Sequence, residues 1–277
     1  MEHIWFISNA RSGSTSDEKC EAVKTICHEK GLRLVGHSRF PEEALPEPEK
    51  LDRAGADTVL LFAGDGTINA TLRMLGDWEG GVLILPGGTM NLLAKALHGE
   101  AEPAEIIHQA HVSPRRTSLA FIEAAGHRAY VGLILGPAAH WVKAREAARS
   151  GLGMRPIRFA LRAWRRMFRE KIRIRGVPGL SGGYQAIFAS PGDGTIALAA
   201  VDARDWRSIA ELGWDWVRGD WVAARAVTSR RADRFWVAER RPVLALFDGE
   251  PRTLDPGTAF TIGRSADIFL TTIAEPA

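Results

Sequence analysis

The chain has 277 residues, 45% of them apolar and 25% charged, with a formal net charge of +3. That is material for one large or two ordinary domains with a sizeable core, and no uninterrupted apolar run reaches the ~18 residues a membrane-spanning helix needs. Its two cysteines, Cys20 and Cys27, share a helix face and make no disulfide framework; they read as small buried hydrophobes in a reducing compartment, which implies the cytoplasm.

In chain order, Met1–Ile7 lacks the basic stretch and long apolar core of a signal peptide and reads as a first strand over 3–8. The loop Asn9–Ser14 follows. Ser16 caps a helix whose apolar stripe is Cys20, Val23, Ile26 and Cys27, and Gly31 ends it. Leu32–His37 is a second strand, and Pro41–Pro48 an exposed connection. Thr58–Phe62 is continuously apolar, as in a strand buried on both faces. The glycine-rich loop Ala63-Gly64-Asp65-Gly66-Thr67-Ile68-Asn69 leads into a helix over 67–75, stopped by Gly76. The unit then repeats: strand Val82–Leu85, loop Pro86-Gly87-Gly88-Thr89-Met90-Asn91, helix Asn91–Leu97. A further helix spans 103–110, with Pro103 in its first turn.

This alternation predicts an α/β domain with a parallel, Rossmann-like sheet over 1–115. From Ser118 strands dominate, at 118–123, 128–134, 171–176, 184–189, 195–201, 234–238, 243–247, 258–262 and 267–272, with helices near 155–169 and 205–217. They predict a mostly antiparallel β-sandwich domain over 116–269, with residues 270–277 returning to the first domain.

The two loops point to phosphate. Glycines that follow a strand and open a helix offer backbone N–H donors and room for close approach, and the helix dipole favours an anion there. Gly64 and Gly66 permit the turn, and Thr67 can donate its hydroxyl or cap the helix. Asp65 would repel a phosphate unless a cation intervenes, so Mg²⁺ on nucleotide phosphates makes sense of it. Gly87, Gly88, Thr89 and Asn91 repeat the arrangement without the acid. A single Gly-Asp-Gly is a common turn; two such loops after consecutive buried strands are far more specific, because both open at the carboxyl edge of one sheet.

Asn9-Ala10-Arg11-Ser12-Gly13, Gly64–Asn69 and Pro86–Asn91, with Phe247-Asp248-Gly249-Glu250-Pro251 near the C-terminus, resemble the diacylglycerol kinase catalytic-domain family, which includes bacterial lipid kinases, sphingosine kinases and ceramide kinases. The Gly-Asp-Gly-Thr loop is shared with NAD kinases and phosphofructokinases; the combination is much more specific. The resemblance implies ATP in a cleft between an α/β domain and a β-rich lipid-acceptor domain. It implies that Asn9, Ser12, Gly64, Asp65, Gly66, Thr67, Gly88 and Thr89 line the nucleotide site, that Asp248 is a general base near the lipid hydroxyl, and that Glu250 approaches the nucleotide or its Mg²⁺. Asp248-Gly249 is equally the signature of a type I′ hairpin turn, and a catalytic acid can sit on such a turn.

The chain departs from the family pattern at Ala63, Ala70 and Leu92, where a glycine and two acids are usual. A glycine-run element before an Asp-Asp-Gly turn is only approximated by Gly182-Gly183 and Pro191-Gly192-Asp193-Gly194, so Asp193 is either a structural metal ligand or a plain turn residue. The alternatives are a kinase of a soluble acceptor such as NAD, and a non-catalytic nucleotide- or lipid-binding homologue.

Between Arg155 and Arg175, arginines and a lysine crowd one stretch with Glu170 the one acid among them. Residues 155–169 form a basic amphipathic pattern with Trp164 and Phe168, which suits either an anionic membrane surface or a helix packed on the β domain. No nucleic-acid motif accompanies the arginines. Trp206, Trp214, Trp216 and Trp221 suit a lipid cavity, a membrane edge or ordinary core packing. The histidines show no zinc-site spacing. The resemblance allows a homodimer, and the expected location is cytoplasmic, peripheral at the inner membrane surface.

Overall fold

The computed structural model describes residues 1–10, 12, 15–76, 78–88, 90–137, 139, 171–202 and 227–274. The chain divides into two compact units, Met1–Leu119 with Arg264–Ala277, and Ala120–Gly263.

The first unit is a six-stranded sheet flanked by helices. Its strands are β1 (His3–Ser8), β2 (Arg33–Arg39), β3 (Thr58–Ala63), β4 (Gly81–Pro86), β5 (Arg115–Thr117) and, from the far end of the chain, β17 (Phe269–Thr271). The order is β2-β1-β3-β4-β17-β5. Every pair is parallel except β17 with β5. The β3 run is buried at all six positions, as its unbroken apolar sequence requires. Helix α1 (Asp17–Glu29) is capped by the Ser16 side chain and buries Cys20, Val23 and Cys27. Burial pushes the Cys27 thiol up to about 11, so it packs as an inert hydrophobe. Helix α2 (Pro48–Arg53) follows the Pro41–Pro48 connection, over residues to which the sequence pattern assigns no element; Pro48 starts it and Leu51 is its buried anchor. Helices α3 (Asp65–Leu75), α4 (Leu92–His98) and α5 (Pro103–Val112) complete the unit.

The expected loop 63–69 is shorter than its sequence suggests. Asp65, Gly66 and Thr67 already belong to α3, with Gly64 as the N-cap.

The second unit is a β-sandwich. One sheet runs β12 (Val227–Ala232), β11 (Ile196–Val201), β10 (Ala186–Pro191), β8 (Leu133–Leu135), β14 (Val243–Phe247), β15 (Glu250–Leu254); its described pairings are antiparallel. The other runs β7 (His127–Ala129), β6 (Ala120–Ala124), β16 (Ala259–Arg264), β13 (Arg234–Val237), β9 (Ile174–Arg175). Their inner faces share one core that includes Ile122, Leu135, Ile187, Leu198, Phe235, Phe247 and Phe260. The expected strand 171–176 shrinks to β9 and an isolated bridge between Ile172 and Tyr184. The expected helices near 155–169 and 205–217, and the four clustered tryptophans, lie outside the described residues.

Candidate functional site

In the first unit, β1, β3 and β4 are adjacent and parallel, so the segments leaving their carboxyl ends converge at one sheet edge. Asn9 follows β1. Its side-chain amide donates to Thr67 Oγ1 at 2.9 Å, and its own N–H donates to the Phe62 carbonyl at 3.3 Å. Ser12 donates its N–H to the Asn9 carbonyl at 3.0 Å and is itself the acceptor for Thr15 N–H at 2.8 Å. The tight turn carries the Ser12 side chain over Gly64: a Cβ on Gly64 would stand 3.4 Å from the Ser12 Oγ.

The two glycine-rich segments touch each other. A Cβ on Gly88 would lie 2.8 Å from the Gly64 Cα, and one on Gly87 would lie 2.6 Å from the Ala63 nitrogen. No side chain fits either gap, which is the physical reason for glycine at both positions. Thr15 Oγ1 donates to the Gly87 carbonyl, and the Gly88 N–H donates to Asn91 Oδ1. Asn91 sits in the left-handed region at φ 52, a conformation asparagine tolerates. Asp65 then closes the circuit. From the first turn of α3 its Oδ1 accepts the Leu92 N–H at 3.1 Å, at the start of α4. One carboxylate thus ties two helix N-termini together.

Two of the three departures from the family pattern, Ala63 and Leu92, settle into this geometry. Ala63 is fully buried at the end of β3 and is not among the positive-φ residues, so its methyl costs no backbone strain. Leu92 meets Asp65 through its backbone, which any residue type supplies. Helix α4 is anchored at its other end by β17: Thr271 Oγ1 donates to the Leu97 carbonyl at 2.7 Å, and His98 Nδ1 pairs with Thr272 Oγ1 at 3.1 Å. Burial pushes the His98 imidazole down to about 4, so it is neutral at pH 7.

The second constellation is built on the β14–β15 hairpin. Phe247 pairs with Glu250, and Asp248 and Gly249 between them have φ of 47° and 87°, the type I′ turn that Asp-Gly favours. Asp248 is only 3% exposed. Its Oδ2 accepts the Tyr130 N–H at 2.8 Å; its Oδ1 accepts those of Val131 and Gly132 at 2.9 and 2.8 Å. Its own N–H donates to the Gly132 carbonyl at 2.9 Å. The turn therefore clamps the loop between β7 and β8. Burial pushes the Tyr130 phenol up, against the pull of its bond with Arg128. Glu250 opens β15, partly buried.

Among the predicted site residues, Asn9, Ser12, Gly64, Asp65, Gly66, Thr67 and Gly88 lie together in the first unit, and Asp248 and Glu250 lie on one hairpin of the second. Thr89 lies outside the described residues. Asp193 stands exposed on the β10–β11 turn, where Gly192 N–H bonds the Thr195 carbonyl at 2.8 Å. Among the described residues no group of three His, Cys, Asp or Glu side chains could hold a metal ion. Two contributors escape sequence reasoning: Thr15, whose one signal is its place just after Asn9–Gly13, and the backbone of 130–132, which has none.

The family model of the diacylglycerol kinase catalytic domain matches residues 3–122. A solved structure named as a candidate diacylglycerol kinase of Bacillus anthracis strain Sterne is 16% identical, with a TM-score of 0.65 over 99% of this chain and 98% of that one. A second, named as a diacylglycerol kinase of the same strain, is 14% identical, with a TM-score of 0.62 over 98% and 96%. At these identities the likeness is one of fold. Comparison with curated protein sequences returns no significant match. No described helix is long and apolar enough to cross a membrane. Residues 3–122 thus match the diacylglycerol kinase catalytic domain, and the chain as a whole has the two-domain fold of these bacterial structures.

Proposed function

We propose that this protein is an ATP- and Mg²⁺-dependent lipid kinase that transfers the γ-phosphoryl group to the hydroxyl of a diacylglycerol-like or sphingoid lipid. The observation that carries the reading is the contact between the two glycine-rich segments, with Asp65 joining α3 to α4. Glycine at these positions lets the two segments pack against each other, which brings the starts of α3 and α4 to one sheet edge; backbone N–H groups there favour phosphate oxygens, and phosphoryl transfer depends chiefly on such positioning and on charge neutralisation.

In this reading Gly64, Gly66 and Gly88 give the phosphates close approach, Asn9 and Ser12 border them, and Asn9 orients the Thr67 hydroxyl. Asp65 would hold Mg²⁺ together with the nucleotide's own phosphates, the usual manner for an ion that keeps few protein ligands. Bound there, Mg²⁺ would neutralise phosphate charge. Among the described residues Asp193 belongs to no group that could hold a metal ion, and it is given no part. Asp248 would take the proton of the acceptor hydroxyl, with Glu250 beside the nucleotide. The three N–H donors on Asp248 fix where its oxygens stand.

The test is a transfer screen with γ-labelled ATP and Mg²⁺, offering a lipid extract and, separately, soluble metabolites including NAD. Label in an extractable lipid is the expected result. Label confined to water-soluble products would replace the lipid by a soluble acceptor, and ATP binding without any labelled product would make the protein a non-catalytic homologue.

A further inference from the structure

The outer face of the second unit's five-stranded sheet carries a basic, aromatic surface. Along β13, Phe235 and Val237 point into the core, so Arg234 and Trp236 point out. Along β9, Ile174 points in and Arg175 out. The register places Trp236 directly opposite Arg175, and Arg173, two residues before Arg175, shares that face. Across β16 the same face continues as Ala259 and Thr261, both exposed and uncharged. The three arginines are exposed, and no ion pair to a described residue engages Arg175 or Arg234.

Three acids of the second unit are engaged. Glu123 pairs with Arg128 at 2.9 Å, Asp202 pairs with Lys171 at 2.9 Å, and Glu239 accepts the Arg173 backbone N–H at 2.9 Å. Asp233 precedes Arg234 in the turn from β12. The indole of Trp236 has a prepared seat: Gly176, at φ +90, would bring a Cβ within 2.5 Å of its ring. A half-exposed tryptophan held among three arginines combines an amphipathic ring with positive charge, the pairing that suits the headgroup layer of an anionic bilayer.

We propose that this face, centred on Arg173, Arg175, Arg234 and Trp236, docks the protein on an anionic phospholipid surface. The choice of a bilayer over another polyanion rests on the lipid-acceptor reading, because a kinase whose acceptor resides in a membrane must meet it.

Co-sedimentation of the full chain with phosphatidylcholine vesicles, with or without phosphatidylglycerol, tests it. No ATP or acceptor is needed, so the outcome is independent of catalysis; turnover of a dispersed short-chain acceptor in the same variants reports on the kinase reading separately. Wild type should bind vesicles containing phosphatidylglycerol and release them in high salt. Replacing Arg173, Arg175 and Arg234 together by Gln should weaken that binding about 100-fold, from the loss of three cations near the surface. Replacing Lys19, Lys30 and Arg33 by Gln, the same charge loss on the first unit, should leave most of it, and Trp236→Ala alone should weaken it measurably. Wild-type binding by the arginine variant would overturn the proposal and move the contact elsewhere. Equal binding to neutral vesicles, or binding to duplex DNA but not to anionic vesicles, would overturn it as well.

Discussion

Asp65 in the first unit and Asp248 in the second are both acids whose carboxylates accept backbone N–H groups from a distant segment, but they are committed to very different degrees. Asp65 is partly exposed and accepts the Leu92 N–H at 3.1 Å. Asp248 is buried and accepts three N–H groups at 2.8–2.9 Å. The difference bears on what a substitution reports. At Asp65, a loss of activity reports mainly on chemistry. At Asp248, it mixes chemistry with the loss of a clamp on the β7–β8 loop, since each buried N–H left without a partner costs about 1–3 kcal/mol.

The largest effect is expected at Asp65. Asp65→Asn keeps an oxygen for the Leu92 N–H but removes the charge. Phosphoryl transfer should fall by about 10²–10³-fold, the scale of losing one major electrostatic stabiliser, while the thermal transition shifts little. Full turnover in this variant would remove Asp65 from the mechanism. Asp248→Ala should instead destabilise the second unit by about 3 kcal/mol, read from denaturant midpoints. An unchanged midpoint would mean that the clamp contributes little, and the two acids would no longer differ in kind.

A third comparison uses pH. His98 is buried and its folded-state pKa is about 4, below the ordinary 6.5. Between those values the unfolded chain binds the proton that the folded chain refuses, so stability is full above pH 6.5 and falls as the pH drops towards 4. The loss approaches about 3 kcal/mol. His98→Gln should flatten that slope; an unchanged slope would assign the acid sensitivity to another group. The smallest effects come from the glycine-rich segments. Gly88→Ala should cost about 1–3 kcal/mol by forcing Gly64 away and should weaken nucleotide binding. Ala63→Gly, which restores the family's usual residue, should cost at most about 1 kcal/mol and leave activity unchanged.

The sequence reveals those parts of the fold that depend on local pattern. The apolar run Val59–Ala63 of β3 and the stripe of α1 announce themselves, and Gly87 and Gly88 are legible because close backbone approach leaves no alternative residue. Other elements are hidden by composition. Strand β12, Val-Thr-Ser-Arg-Arg-Ala, is an edge strand whose arginines mask its alternation. Strand β15 begins inside the Asp-Gly-Glu motif and contains Pro251, and α2 is short and highly charged, held by Leu51. In the site, the side chains of Asp65 and Asp248 are legible but their partners are not. Leu92, Tyr130, Val131 and Gly132 contribute backbone N–H groups, which every residue but proline carries and which no residue type advertises.

In the proposed reading the paired segments of the first unit hold the nucleotide phosphates and Asp248 acts on the acceptor. Calorimetric titration of Mg²⁺-ATP into the wild type, Asp65→Asn and Asp248→Asn tests it most directly. The expected result is clear binding by the wild type, binding largely lost in Asp65→Asn, and near-normal affinity in Asp248→Asn. Undiminished affinity in Asp65→Asn, with binding lost in Asp248→Asn, would contradict it.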